Sequence, residues 1–254
     1  IQPIGSGTTI TLNATEVKTG TEITVGTGAS IFSPAGNTLA LGTNNVEALR
    51  IKNDGFIGAG TANPRRHFHL HNSASATVGF QMTNGNTGES NDDQGFQLKV
   101  GSDSHAEISQ MENSDLRIFT NAIERLRIDS DGRILVGHNS ARIVSTTVNP
   151  YLQLEGTTFH QSALSVTRNT NDEYGSYLIL GKSRAASNGG NVILQDNDII
   201  SEVRFAGSDG NDMVNIAAQI RVEVDGTPQT DQMPGAMILS TNPGSTSTTE
   251  RLRI

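Results

Sequence analysis

Short runs of alternating apolar and polar residues fill the chain, and polar stretches rich in Gly, Asn, Asp and Ser separate them. A side chain that recurs at every second position lines one face of a β-strand, so such runs predict strands with one covered face. Near the start, "TTITLNATEV" places Ile10 and Leu12 on one face, and "TEITV" does the same with Ile23 and Val25. Further on, "TVGFQMT", "GFQLKV", "AEISQM" and "DLRIFT" read as strands, followed by "YLQLEG", "SALSVTR", "SYLILGK", "NVILQ", "SEVRFAG", "AAQIRVEV" and "GAMILST". In "DMVNIAAQIRVEV" the alternation of Ile220, Val222 and Val224 decides for strand over helix. The fold class expected is all-β.

One phrase recurs. "EALRI-KNDG-FIGAG" runs from Glu47 to Gly60 and "ERLRI-DSDG-RILVG" from Glu124 to Gly137. Each sets a strand-like pentapeptide before a polar tetrapeptide closed by Asp-Gly, a strong hairpin-turn signal. Strict alternation in "ERLRI" places Leu126 and Ile128 on one face with Glu124, and Arg125 and Arg127 on the other. The apolar pair is expected inward, the arginines toward solvent or an acidic neighbour. "ERLRI" returns at Glu250 to Ile254 as the first half of a third hairpin, which predicts a continuation resembling "DSDG" or "NDG". The three Glu positions stand 77 and then 126 residues apart, so the hairpin punctuates unequal units rather than building a regular solenoid.

Composition turns these strands into a question of burial. Only 34% of the 254 residues are hydrophobic, aromatics are 4% and Trp is absent, so one thick core lacks the side chains to fill it. The wealth of Val, Ile and Thr nevertheless argues against disorder. Thin cores completed by neighbouring copies fit both facts. The formal net charge of -8 speaks against general nucleic-acid binding. With no Cys there is no disulfide, thiolate nucleophile or Cys-ligated zinc. No apolar run approaches the ~18 residues of a membrane-spanning helix, so no membrane insertion is expected.

The stretch "LRIKNDGFIGAGTANPRRHFHL" resembles a cassette repeated in phage tail-fibre proteins, especially those of marine and cyanobacterial phages. The stretch from "LGKSRAASNGG" through "AAQIRVEVDGTPQTDQMPGAMILSTNPGSTSTTERLRI" is similar to a module found in the same proteins. The likeness covers roughly residues 47 to 70 and 123 to 254; "RILVGHNSA" departs from it in the second hairpin. It implies an elongated, parallel homotrimeric fibre, located in the virion and extracellular. It also implies partners among the other virion tail proteins and a host surface glycan or protein. The organisation expected is an N-terminal β shaft segment over 1–46, hairpin connectors over 47–64 and 123–140, β modules over 65–122 and 141–248, and a third hairpin beginning at 249–254. Leu49, Ile51, Leu126 and Ile128 are the expected trimer seam. Alternatives are a capsid or neck fibre, a polysaccharide depolymerase tailspike and a bacterial surface adhesin.

Chemistry-bearing motifs are few. "HFHLH" sets His67, His69 and His71 on one strand face, where a threefold axis would gather imidazoles; surface or hydrogen-bonded histidines are the plainer reading, and no metal or cofactor is expected. "GSYLILGKS" ends like a phosphate-binding loop, but its spacing and its apolar interior are wrong for one. "DSDG" and "NDIISE" lack the ligand spacing of a calcium loop, and "GKSRA" lacks the strand-elbow-helix setting of a nucleophilic serine. A carboxylate pair for glycoside cleavage is the serious catalytic alternative, but the chain shows no long coil period, so no catalytic residue is expected. The polar loops Asn84 to Gln94, Asn169 to Tyr174 and Arg184 to Asn191 are the candidates for binding residues, with Tyr174 the one aromatic that could stack on a sugar face; merely solvated connections are the equally open alternative.

Overall fold

The computed structural model describes residues 22–24, 30–145 and 147–254, which form two compact units divided between Asn113 and Ser114. Among the described residues every regular element is a strand. In the first unit β1 (Glu22–Thr24), β2 (Ser30–Phe32), β3 (Leu39–Thr43), β4 (Val46–Ile51), β5 (Ile57–Ala59) and β6 (Phe68–Leu70) follow one another across a six-stranded sheet. A three-stranded sheet of β7 (Val78–Met82), β8 (Phe96–Val100) and β9 (Ala106–Gln110) completes that unit. The second unit holds two four-stranded sheets. One is β10 (Leu116–Thr120), β11 (Ile123–Ile128), β12 (Ile134–Val136) and β13 (Leu152–Leu154). The other is β14 (Ile199–Gly207), β15 (Asn215–Val224), β16 (Gly235–Thr241) and β17 (Thr249–Arg253). The strands expected around Ile10, Leu12 and Val25 lie outside the described residues; Ile23 falls in β1.

The repeated phrase is part of a longer cassette. Both copies begin one strand earlier, at Leu39 and Leu116, and matching residues stay 77 positions apart through Gly60 and Gly137. Two left-handed residues turn the chain from the first strand into the second: Asn44 and Asn45 (φ 53 and 60) in one copy, Asn121 and Ala122 (φ 50 and 58) in the other. Paired positive φ values suit the right-handed twist of a two-residue hairpin. The Asp-Gly turns are built differently. Only their glycines are left-handed, with Gly55 N donating to the Lys52 carbonyl and Gly132 N to that of Asp129, each at 2.9 Å.

A bulge in the middle strand overturns strict alternation. Leu41 faces Leu49 but Gly42 faces Glu47, which leaves Ala48 without an opposite residue; Ile118 faces Leu126 but Phe119 faces Glu124, which leaves out Arg125. The same shift between Leu239 and Ser240 leaves out Arg251 in the third copy. One extra residue reverses the facing of everything before it. Glu124 therefore stands with Arg127, not with Leu126 and Ile128 as alternation predicts.

After the hairpin a short crossover returns the chain parallel to the strand just made, β6 beside β5 and β13 beside β12. Gly60 (φ +73) and Gly137 (φ +83) begin these crossovers, and a Cβ there would lie 2.0 Å from the His71 carbonyl oxygen or 2.2 Å from that of Glu155. Both conformation and space demand glycine. The runs "SALSVTR", "SYLILGK" and "NVILQ", predicted as strands, form no ladder among the described residues. Their backbone finds no partner sheet there, so the pattern of alternation is present but the pairing is not. Replacing Gly137 with Ala should lower unfolding stability by about 2 kcal/mol or more, read as a lower urea midpoint at unchanged slope. Gly36→Ala, which meets open space at a φ outside the left-handed region, should leave the midpoint within about 0.5 kcal/mol of its starting value.

Candidate assembly faces and binding loop

Register fixes which side chains share a face, and in all four sheets the apolar ones gather on one side. In the first, Leu39, Leu41, Leu49, Ile51, Ile57 and Phe68 line up across β3 to β6. Phe80, Met82, Leu98 and Ile108 do so across β7 to β9. Ile118, Leu126, Ile128, Ile134 and Leu152 share a face of the third sheet, and Val203, Phe205, Met237 and Leu252 one of the fourth. None of these faces is covered by its own unit: Ile108 is 67% exposed, Phe205 54%, Ile118 51% and Phe80 48%. In the first unit Phe68 stacks on Phe80 with ring centroids 5.5 Å apart, which joins the two apolar faces into one surface. Contiguous open apolar area of this kind is a candidate interaction surface.

The opposite faces are the covered ones. Ala40, Leu135, Ala236 and Ile238, buried almost completely, lie there beside the Glu–Arg pairs. Arg50 donates to both carboxylate oxygens of Glu47 at 2.6 and 2.5 Å and also reaches the Ala62 carbonyl in the crossover. Arg127 holds Glu124 in the same way at 2.7 and 2.8 Å and pairs with Asp115. Arg253 joins Glu250 to the buried Glu223, the latter at 2.7 Å. The fork of a guanidinium fits a carboxylate bidentately, and the bulge is what brings the two residues to one side. Glutamines close the polar faces. Buried Gln97 donates to the Asp92 and Gln94 carbonyls, and buried Gln153 donates to that of Pro150 and accepts from Arg142 N.

These pairs set the titration. Burial works against the Glu202 carboxylate, yet hydrogen bonds from Arg204 and Arg221 outweigh it and hold its pKa below the ordinary 4.5. The Arg127 hydrogen bond likewise depresses Glu124. Asp198, held by Arg184 and the Gln195 amide, lies far below the usual carboxylate range.

The expected seam residues all sit on the open apolar faces, with Leu49, Ile51 and Leu126 half-buried by their sheet neighbours and Ile128 37% exposed. Tyr174, 59% exposed, closes a loop built by one arginine. Arg168 donates to the Tyr174 carbonyl at 2.7 Å and to Asp172 at 2.6 Å, and its guanidinium lies 6.0 Å from the Tyr174 ring centre. Asp172 in turn accepts from Tyr174 N at 3.0 Å. The loop Asn84 to Gln94 is pinned to its own sheet, where Gln81 and Gln97 hold its carbonyls, and Arg184 to Asn191 reverses the chain between Arg184 N and the Val192 carbonyl. The three histidines are not gathered together: His67 packs edge-on against Phe56 at 5.0 Å, His69 accepts from Arg65 N, and His71 lies 6.1 Å from His69 between ring centres. Among the described residues no three acidic or histidine side chains form a metal-binding group. Sequence reasoning missed the bidentate pairs. The signal was present in the threefold Glu-x-Leu-Arg, but its meaning depends on the bulge.

No protein-family model matches this chain, and no curated protein matches it.

The depressed carboxylates give a sign to the pH dependence. A group with a lowered folded pKa stabilises above its unfolded pKa and loses that contribution as pH falls through the folded value. Thermal unfolding should therefore hold level from neutrality to about pH 5 and decline below about pH 4.5. Glu202→Gln should lower the midpoint at pH 7 and flatten the acid decline. An unchanged acid limb in that variant would remove Glu202 from the account.

Proposed function

We propose that this chain is a non-catalytic structural segment of a phage tail fibre, a parallel homotrimer that extends and presents a surface for attachment to the host cell. The carrying observation is that all four sheets leave a contiguous apolar face open on one side while the chain covers the charged side itself. A sheet so arranged gains its burial from other copies, and symmetric association matches like faces without a second protein. Leu49, Ile51, Leu126 and Ile128 belong to that seam. Among the described residues, the carboxylates with shifted pKa are shifted downward by arginine, lysine or amide partners, the opposite of the raised general acid that glycoside cleavage uses. The Arg168-braced loop carrying Tyr174 is the proposed receptor contact, a rigid aromatic platform for a host glycan.

Sedimentation of the complete chain at micromolar concentration should give a trimer. The double substitution Leu126→Asp, Ile128→Asp should raise the concentration needed for association by more than about 100-fold, because each copy would carry unpaired charge into an apolar seam. A folded, stable monomer of the unaltered protein would end the assembly reading. Tyr174→Ala should reduce host-cell adsorption while leaving the sedimentation profile unchanged, and host polysaccharide incubated with the protein should keep its length.

A further inference from the structure

The three runs that failed to form strands are informative about assembly. The chain passes without bend or turn through 163–170, 174–185 and 191–195. Reversals between these runs lay them side by side: Ser176 Oγ donates to the Val166 carbonyl at 2.9 Å, and Arg184 N donates to the Val192 carbonyl at 3.2 Å. The geometry is that of a meander without its ladder. Among the described residues no backbone amide from 163 to 182 is bonded to a backbone carbonyl.

Side chains show the same incompleteness. Tyr177, Leu178, Ile179 and Leu180 stand in sequence, so both faces of this run are apolar, the pattern of a strand covered on both sides. Ile179 is nevertheless 84% exposed, and Leu164 is 78% exposed. Apolar side chains in water and backbone groups without partners are two unfavourable states that one event removes, closure of a ladder against other strands.

Each cation of the arms already touches a carboxylate, Arg168 that of Asp172, and Lys182 and Arg184 the shared one of Asp198. What the arms leave open is apolar side chain and backbone without a ladder, which a strand of the same apolar pattern would match. Another copy of this chain brings that strand, together with sheet faces open in the same pattern. We infer that residues 162–168, 176–182 and 191–195 become strands whose ladder partners are the same segments of other copies, so that this part of the fold closes only on association. The inference rests on the self-association proposed above and adds that the interface is a shared backbone ladder, not only a contact between finished faces.

Hydrogen exchange of the complete chain, followed by mass spectrometry alongside sedimentation, separates the possibilities. In the assembled protein, amides 163–182 should exchange more than about 100-fold slower than open-chain rates. Dilution to single copies should abolish that protection while the amides of β15 keep theirs. Ile179→Asp should remove it at a concentration where the unaltered chain is protected, again with β15 unchanged. An assembly whose 163–182 amides exchange freely, or an Ile179→Asp variant that stays protected, would overturn the inference and leave self-association standing. Protection in a monomer would show that the segment closes within its own chain and would overturn both. A monomer with free exchange would also remove both.

Discussion

Water contact with apolar side chains is the constraint on which this structure turns. A β-sheet has two faces, and a short chain segment has material enough to cover one. Here the crossovers, the Asn84 to Gln94 loop and the glutamines are spent on the charged side, where Arg50, Arg127 and Gln97 satisfy backbone carbonyls and carboxylates. The apolar side is left for something else. That allocation accounts for Ala40, Leu135, Ala236 and Ile238, buried hydrophobic side chains that sit on the face with the arginines.

The bulge makes the allocation possible. Without it Glu47 and Glu124 would project among Leu49, Ile51, Leu126 and Ile128, and an unpaired carboxylate there would oppose any dry seam. With one residue looped out, the glutamate crosses to the arginine side and is neutralised by two hydrogen bonds. The net stabilisation from such a partly exposed pair is modest. Its larger effect is on specificity, since loss of the bulge would part the pair and return the charge to the apolar face.

The all-β class was legible because alternation survives even in a chain only 34% hydrophobic. The two Asp-Gly hairpins were legible because left-handed glycine is a strong local requirement, met at Gly55 and Gly132. What sequence hid was the strand before each hairpin, whose Asn44-Asn45 and Asn121-Ala122 turns are weak signals, and the bulge, which leaves no compositional mark. The facing of Glu124 was lost with it. "SALSVTR" and "SYLILGK" carried a true strand pattern, but a pattern states what a segment needs and not whether its own chain supplies it. The loop around Tyr174 was visible as a polar interval, whereas the brace from Arg168 depends on a side-chain geometry that spacing alone does not fix.

Every ladder described here joins strands that are neighbours in sequence, including the two parallel pairs with their short crossovers. Such contacts close small loops, and small loops close quickly. For the self-association proposed above, the time course of maturation is therefore divided: the four sheets form within each newly made chain, independent of how many others are present, while everything that waits on a neighbour is a collision. On that reading, a chain kept dilute has its four sheets formed and their apolar sides naked. On the self-association proposed above, the period of greatest exposure to misassociation thus follows the closing of the four sheets, while residues 162–195 still wait for their ladder.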